Sequence, residues 1–266
     1  MATYLDRILA AHRARAAHDN RQLAPLVDAA RALPPARGFR SALVDYAQRD
    51  GTAVIAEVKR RSPSKGALAA DLDPQDLARA YAAGGAACLS VLTDVEFFGG
   101  SAADLAMARS AGGRPVLRKD FTVDARDVCD ARIMGADCVL LIAAALDDAE
   151  LADFHQLARE IGLDVLVEIH DEAELERALR VDPDLLGVNQ RDLITFEVDQ
   201  ARARRMAPLM PAGVVRVAES GIRGADDAAA LTAAGYHALL VGETLVKAGD
   251  PAAAVKTLRV AAQGER

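Results

Sequence analysis

Eight short apolar runs, each followed by a longer stretch with helical patterning, set the limits on how this chain can fold. They are Thr52–Val58, Ala87–Leu92, Pro115–Lys119, Cys138–Ile142, Asp164–Ile169, Leu185–Asn189, Val214–Glu219 and Ala238–Gly242. Most are continuously apolar rather than alternating, as in strands covered on both faces of a parallel sheet. Their starts lie roughly 20–35 residues apart, about the length of one βα unit. The intervening segments carry helix signals. Asp73-Pro74 opens a pattern that runs to Ala83, Asp147–Ile161 stops at Gly162, and Gly224–Ala234 stops at Gly235. Asp171–Val181 behaves similarly, and a last helix is expected near Pro251–Ala262. Eight βα units in sequence predict an α/β protein with a closed (β/α)8 TIM barrel. An open doubly wound sheet would usually carry a glycine-rich turn after its first strand. Here that position reads Lys59-Arg60-Arg61-Ser62-Pro63-Ser64-Lys65-Gly66.

Residues 1–50 precede the first strand and hold at least two helical segments, around Tyr4–Ala17 and Phe39–Arg49, separated by Leu33-Pro34-Pro35. Fifty residues is close to the lower limit for independent folding. The segment is therefore read as a helical N-terminal extension packed on the barrel, with 1–266 forming one domain. Composition narrows the function. A formal net charge of −7 argues against coating nucleic acid or an anionic membrane. It leaves room for a small anionic substrate in a locally basic pocket. Cys88, Cys129 and Cys138 form no CxxC pair, and the five histidines add no zinc-ligand spacing, so no metal site is expected. Sparse, odd thiols fit the reduced cytoplasm. No stretch approaches the ~20 apolar residues of a membrane span. The start, Met1-Ala2-Thr3-Tyr4-Leu5-Asp6-Arg7, lacks a signal peptide's apolar region. A monomer or weak homo-oligomer is expected.

Active sites of such barrels are built from strand C-termini and the loops after them. The first strand ends in Glu57-Val58-Lys59, with both charges on one face. On the inner face they form a buried acid–base pair; on the outer face, a surface ion pair. The third strand ends in Arg118-Lys119-Asp120-Phe121, placing a possible proton donor at the rim. Glu168 closes an apolar run and needs a cation, for which Lys119 across the mouth is a natural partner. Asn189 can orient a hydroxyl and Arg191 can hold a carboxylate, although a loop-capping Asn is the plainer reading. After the seventh and eighth strands, Ser220-Gly221 and Gly242-Glu243-Thr244 each put Gly and a hydroxyl residue before a helix. Glycine lets an anion approach the backbone, and a helix N-terminus attracts it. This pair of loops is where such barrels bind phosphate. The residues point to an acid–base enzyme acting on a phosphorylated metabolite, without fixing the reaction.

At these same positions the sequence resembles indole-3-glycerol phosphate synthase of tryptophan biosynthesis. The resemblance runs through Glu57–Gly66, Leu92-Thr93-Asp94, Phe97-Phe98-Gly99-Gly100-Ser101, Pro115–Phe121, Val167–His170, Gly187-Val188-Asn189, Arg191-Asp192-Leu193, Glu219–Ile222 and Val241–Leu245. It implies a lyase that closes a ring in 1-(2-carboxyphenylamino)-1-deoxyribulose 5-phosphate, with loss of CO2 and water and with no metal or organic cofactor. Lys119 resembles the family's general acid, ranked ahead of Lys59. Glu57 and Glu168 resemble the carboxylates assigned acid–base work in dehydration, and Asn189 the residue that orients the departing hydroxyl. Lys59, Ser62, Gly221, Gly242 and Thr244 match phosphate and carboxylate contacts. Arg191, Glu219 and Ser220 align with polar residues that position the substrate or its neighbours, Ser220 among the catalytic set. Phe98 and Phe121 resemble walls for the anthranilate ring, with ordinary core as the other reading of Phe121. Gln190 stands where Asn is usual and is expected to point away from the site. Thr244 stands where Ser is commoner and keeps the hydroxyl. Two rival readings remain. A phosphoribosylanthranilate isomerase-like barrel needs a Cys where Glu57 stands. A non-catalytic barrel would have lost one of Glu57, Lys59, Lys119 or Glu168.

Overall fold

The computed structural model describes residues 3–62, 66–69 and 71–259. Eight parallel strands close into a barrel. They are β1 (Ala53–Val58), β2 (Cys88–Leu92), β3 (Val116–Lys119), β4 (Cys138–Ile142), β5 (Asp164–Ile169), β6 (Leu185–Asn189), β7 (Val215–Glu219) and β8 (Ala238–Val241). Each pairs with its neighbours in sequence, and β8 returns to β1 with Ala53 opposite Ala238. The expected strands are all present, some trimmed by a residue. Pro115 lacks an N–H and lies just outside β3, offering only its carbonyl, which accepts from Leu89 at 2.9 Å. Gly242 leaves β8 to become the N-cap of the next helix. A two-residue ladder, Arg61–Ser62 against Gly66–Ala67, follows β1 and was too short to read from sequence. Pro63, Ser64 and Lys65 lie outside the described residues, as does the end of the last helix expected beyond Arg259.

Strand alternation sorts the apolar residues into two cores. Ile55, Leu117, Leu140, Leu166, Val217 and Leu240 fill the barrel interior. Val54, Val91, Val116, Val139, Val167 and Val188 face the helices outside. This double burial is why the strands read as continuous apolar runs. The helices begin where their caps dictate. In α4 (Pro74–Gly84) Asp73 accepts from the N–H groups of Gln75 and Asp76, with Pro at the first turn. In α7 (Asp148–Glu160) Asp147 and Glu150 form a capping box. The shell also includes α5 (Ala102–Gly112), α6 (Ala125–Ile133), α8 (Glu172–Leu179), α9 (Arg202–Met206), α10 (Ala225–Ala233), α11 (Glu243–Val246) and α12 (Pro251–Leu258). Among the described residues no helix is long and apolar enough to cross a membrane.

The N-terminal segment holds three helices, α1 (Tyr4–His18), α2 (Leu23–Arg31) and α3 (Phe39–Asp50). The middle one adds to the two expected. Its N-cap Gln22 makes no side-chain cap bond, so its sequence signal was weak. Tyr4, Leu5 and Ile8 of α1 face the cavity at the barrel mouth. Near α2, Arg21 pairs with Asp130 of α6 at 2.8 Å. At the opposite end, Phe39 and Leu43 of α3 are fully buried in the inner core and plug the floor. Two acids at strand starts, Asp137 buried and Asp164 half-buried, hold that plug. Asp137 accepts from the Arg37 N–H at 2.9 Å and Asp164 from the Arg40 N–H at 2.8 Å.

Candidate active site

The inward positions that continue the apolar interior toward the mouth are charged. Glu57, Lys119, Glu168 and Glu219 come from β1, β3, β5 and β7, the alternate-strand set that forms one layer in a barrel. Lys119 Nζ donates to Glu168 Oε2 at 2.7 Å and stands 3.5 Å from Glu219 Oε2. Lys59 pairs with Glu57 on the inner face, as the alternation predicts. Glu57, Glu168 and Glu219 are all buried. Two glycines make room for them. A Cβ on Gly187 would collide with the Glu219 carboxylate, and one on Gly242 with that of Glu57. Asn189 Nδ2 donates to Glu168 Oε1 at 3.0 Å, while its own Oδ1 accepts from the Arg191 N–H at 3.0 Å. The Asn is therefore both a loop cap and a partner of the carboxylate.

Above this layer opens a cavity of about 870 Å³. Phe98 and Phe121 form one wall, with ring centroids 6.3 Å apart. Phe121 also belongs to the inner apolar core, so its two readings hold together. Both wall residues are pinned through their backbones, Phe98 to Asp94 at 3.0 Å and Phe121 to Asp120 at 2.8 Å. His12 of α1 reaches into the same network at 3.0 Å from Asp94. His12, Asp94 and Asp120 are spaced like metal ligands, but the carboxylate oxygens already accept from Phe97, Phe98, Phe121, Thr93 and Arg118. On the far side, Ser220 and Gly221 turn through left-handed backbone, φ +66° and +73°, beside Gly242. The Thr244 hydroxyl donates to the Ile222 carbonyl at 2.6 Å, stitching these two loops together. Ser62 and Arg191 line the cavity too, the latter with its guanidinium on the Phe196 carbonyl at 3.0 Å. Gln190 donates to the Ser220 carbonyl at 2.8 Å and is absent from the cavity lining, as expected.

The model of the indole-3-glycerol phosphate synthase family matches residues 5–258. The chain belongs to this family. A Nocardioides indole-3-glycerol phosphate synthase is 56% identical over 208 residues, covering 78% of this chain and 80% of that protein. The family is one of carboxy-lyases in tryptophan biosynthesis, which sets aside the isomerase and non-catalytic readings. Solved structures share the fold at low identity. A 3-hexulose-6-phosphate synthase superposes with TM-score 0.59 at 17% identity, covering 78% of this chain and 98% of that one. A Pyrococcus furiosus thiamine phosphate pyrophosphorylase gives 0.57 at 18%, covering 83% and 95%.

The charged layer sets unusual proton affinities in this family member. Burial alone would lower the Lys119 pKa, but Glu168, Glu219 and Glu57 outweigh it and hold the ammonium. Burial would raise Glu168, yet Lys119 and then His170 pull it down to about 2. Glu219 goes the other way, to about 8, because burial and the neighbouring Glu168 outweigh Lys119. Burial and Glu168 thus favour the protonated form of Glu219. The unfolded chain loses that proton near the ordinary value of 4.5, so Glu219 contributes stability that declines between about pH 4.5 and 8. Glu219→Gln is expected to flatten the stability slope over pH 5–8 in urea titrations. An unchanged slope would refute the raised proton affinity of Glu219.

Several cavity residues escaped the sequence reading. Tyr4, Leu5 and Ile8 arrive from α1, too far along the chain for strand-end logic to reach. Arg223 and Lys247 also line the cavity, each paired four residues away with Asp227 and Glu243. For Lys247 the helical spacing from Glu243 was the signal that could have flagged it; Arg223 precedes α10, and its signal was its place in the loop after β7.

Proposed function

We propose that this site converts 1-(2-carboxyphenylamino)-1-deoxyribulose 5-phosphate to indole-3-glycerol phosphate, CO2 and water. One observation carries the assignment of roles. A half-buried ammonium, Lys119, is held between two carboxylates with opposite proton affinities, in the cavity that Phe98 and Phe121 line. Ring closure turns a carbonyl oxygen into an alkoxide, and Lys119 is the acid placed to protonate it. The ring nitrogen then accepts the electron pair left by departing CO2, so the chemistry needs no metal or organic cofactor. Dehydration requires one proton delivered to a hydroxyl and one removed. Glu168, ionised, and Glu57 with Lys59 are suited to that exchange, with Asn189 orienting the leaving hydroxyl. Ser220 and Glu219 position the reacting sugar.

The rest of the cavity supplies binding. Phe98 and Phe121 flank the anthranilate ring and Arg191 meets its carboxylate. The backbone at Gly221 and Gly242 receives the phosphate, together with Ser62, Lys59 and Thr244. Since the Thr244 hydroxyl proton is spent on Ile222, its contribution there is to hold the loops in place. The same reading puts the enzyme in the cytoplasm as a monomer or weak homo-oligomer, where its three buried cysteines stay thiols.

The test is direct. Purified protein, given this substrate in the presence of a chelator, is expected to generate indole fluorescence. A chain without Trp contributes little background. No gain in fluorescence would defeat the proposal.

A further inference from the structure

His170, the residue just beyond β5, touches the catalytic layer, and nothing in the mechanism above uses it. Its side chain is nine-tenths buried. Nδ1 lies 3.0 Å from Glu174 Oε2, and the same oxygen accepts the His170 backbone N–H at 2.8 Å. Nε2 lies 3.5 Å from Glu168 Oε1 and has no hydrogen-bond partner of its own. Both ring nitrogens therefore face carboxylate oxygens, which accept and cannot donate. A neutral imidazole would turn one lone pair onto a carboxylate; an imidazolium gives each oxygen an N–H. The other charges bearing on the ring are few. Glu168 lies on its own strand, Glu174 on α8, and the cation Arg202 on α9. Burial and Arg202 disfavour the charged ring, but the two carboxylates outweigh them and raise its pKa above the ordinary value.

We propose that His170 is a positioning residue: clamped as an imidazolium by Glu174, it keeps Glu168 ionised and its Oε1 turned toward Asn189. A line Glu174–His170–Glu168–Lys119 then runs from the start of α8 into the reacting layer. The proposal rests on Glu168 doing acid–base work in the reaction above.

The experiment is a pH series of kcat and KM on the full-length enzyme, wild type against His170→Asn, Glu174→Gln and the double variant. His170→Asn is expected to lose about tenfold in kcat at every pH, because Oε1 of Glu168 is no longer held toward Asn189, a loss below the ~hundredfold of a 1 Å misplacement, with KM within about twofold. Glu174→Gln should match it at pH 8 yet be much less impaired at pH 5.5, where the ring can still take a proton without its clamp. The NMR titration of the His170 ring should move to lower pH in step. The double variant should be no worse than His170→Asn. Should His170→Asn fail to fold, Glu174→Gln with the NMR titration carries the test alone. Equal loss at both pH values, an unmoved titration, or losses that multiply in the double variant would each overturn the proposal. Glu168→Gln separates the two levels. If it keeps normal turnover, the reading of Glu168 falls and this inference with it. If it is inactive while His170→Asn is normal, this inference alone falls.

Discussion

Lys119→Ala is expected to lower kcat by between about a hundredfold and ten-thousandfold, the range for deleting a positioned general acid. The upper part of that range is the expectation, because this ammonium does two things at once. It is a proton donor within the reacting layer, and it is the main cation holding Glu168 ionised. Without it, Glu168 and Glu219 share a buried space with no positive charge between them. Glu219 already favours its protonated form, so it is Glu168 whose pKa rises, and the base is weakened along with the acid. The variant should also show its acid–base behaviour shifted upward in pH. Near-normal turnover would remove Lys119 from the general-acid role while leaving the family membership untouched. Urea titration of the same variant checks that the loss is chemical. Because Glu219 can keep its proton, the folding cost should stay below the ~3–5 kcal/mol of an ordinary broken buried pair.

Asp137→Ala is expected to cost about 3–5 kcal/mol of stability. The carboxylate is fully buried at the start of β4. It accepts from the Arg37 N–H at 2.9 Å, the Val116 N–H at 2.9 Å and the Arg109 guanidinium at 3.2 Å. Truncation orphans three donors, one of them charged, in a place water enters poorly. Asp137→Asn should fall between the two, since its amide oxygen can still serve one side. The midpoint of urea unfolding reads the effect, and turnover at low temperature should persist because the reacting layer lies at the other end of the strands. A loss under about 1 kcal/mol would mean the floor is held by Phe39 and Leu43 alone.

The barrel was legible because its strands are buried on both faces, which leaves an unbroken apolar run in the sequence. The reacting layer was legible for a related reason. Glu57, Lys119, Glu168 and Glu219 interrupt or end those runs, where an unpaired charge would be costly. The Lys119–Glu168 contact could be argued from that cost alone. The remainder depended on distance along the chain. The Asp94–His12 contact joins residues 82 apart, and no local pattern announces it. Glu219 looked like a partner for the substrate from sequence, and only its burial beside Glu168 reveals it as a proton reservoir. His170 sat in plain view at a strand end, but its meaning comes from Glu174, which reads as an ordinary first-turn acid of α8.

The extension that spans the barrel from mouth to floor bears on how the protein is made. Its anchors lie far downstream: Arg37 waits for Asp137, Arg40 for Asp164 and Arg13 for Glu150, separations of 100, 124 and 137 residues. A chain emerging from the ribosome N-terminus first has its opening three helices available long before any of these seats exists. The plug can enter the floor only after β5 has been synthesised, and closure of the barrel by β8 comes later still. Phe39 and Leu43 have no native seat throughout that interval. This stretch of the nascent chain is where a chaperone would find its handhold, and where slow elongation would be most costly.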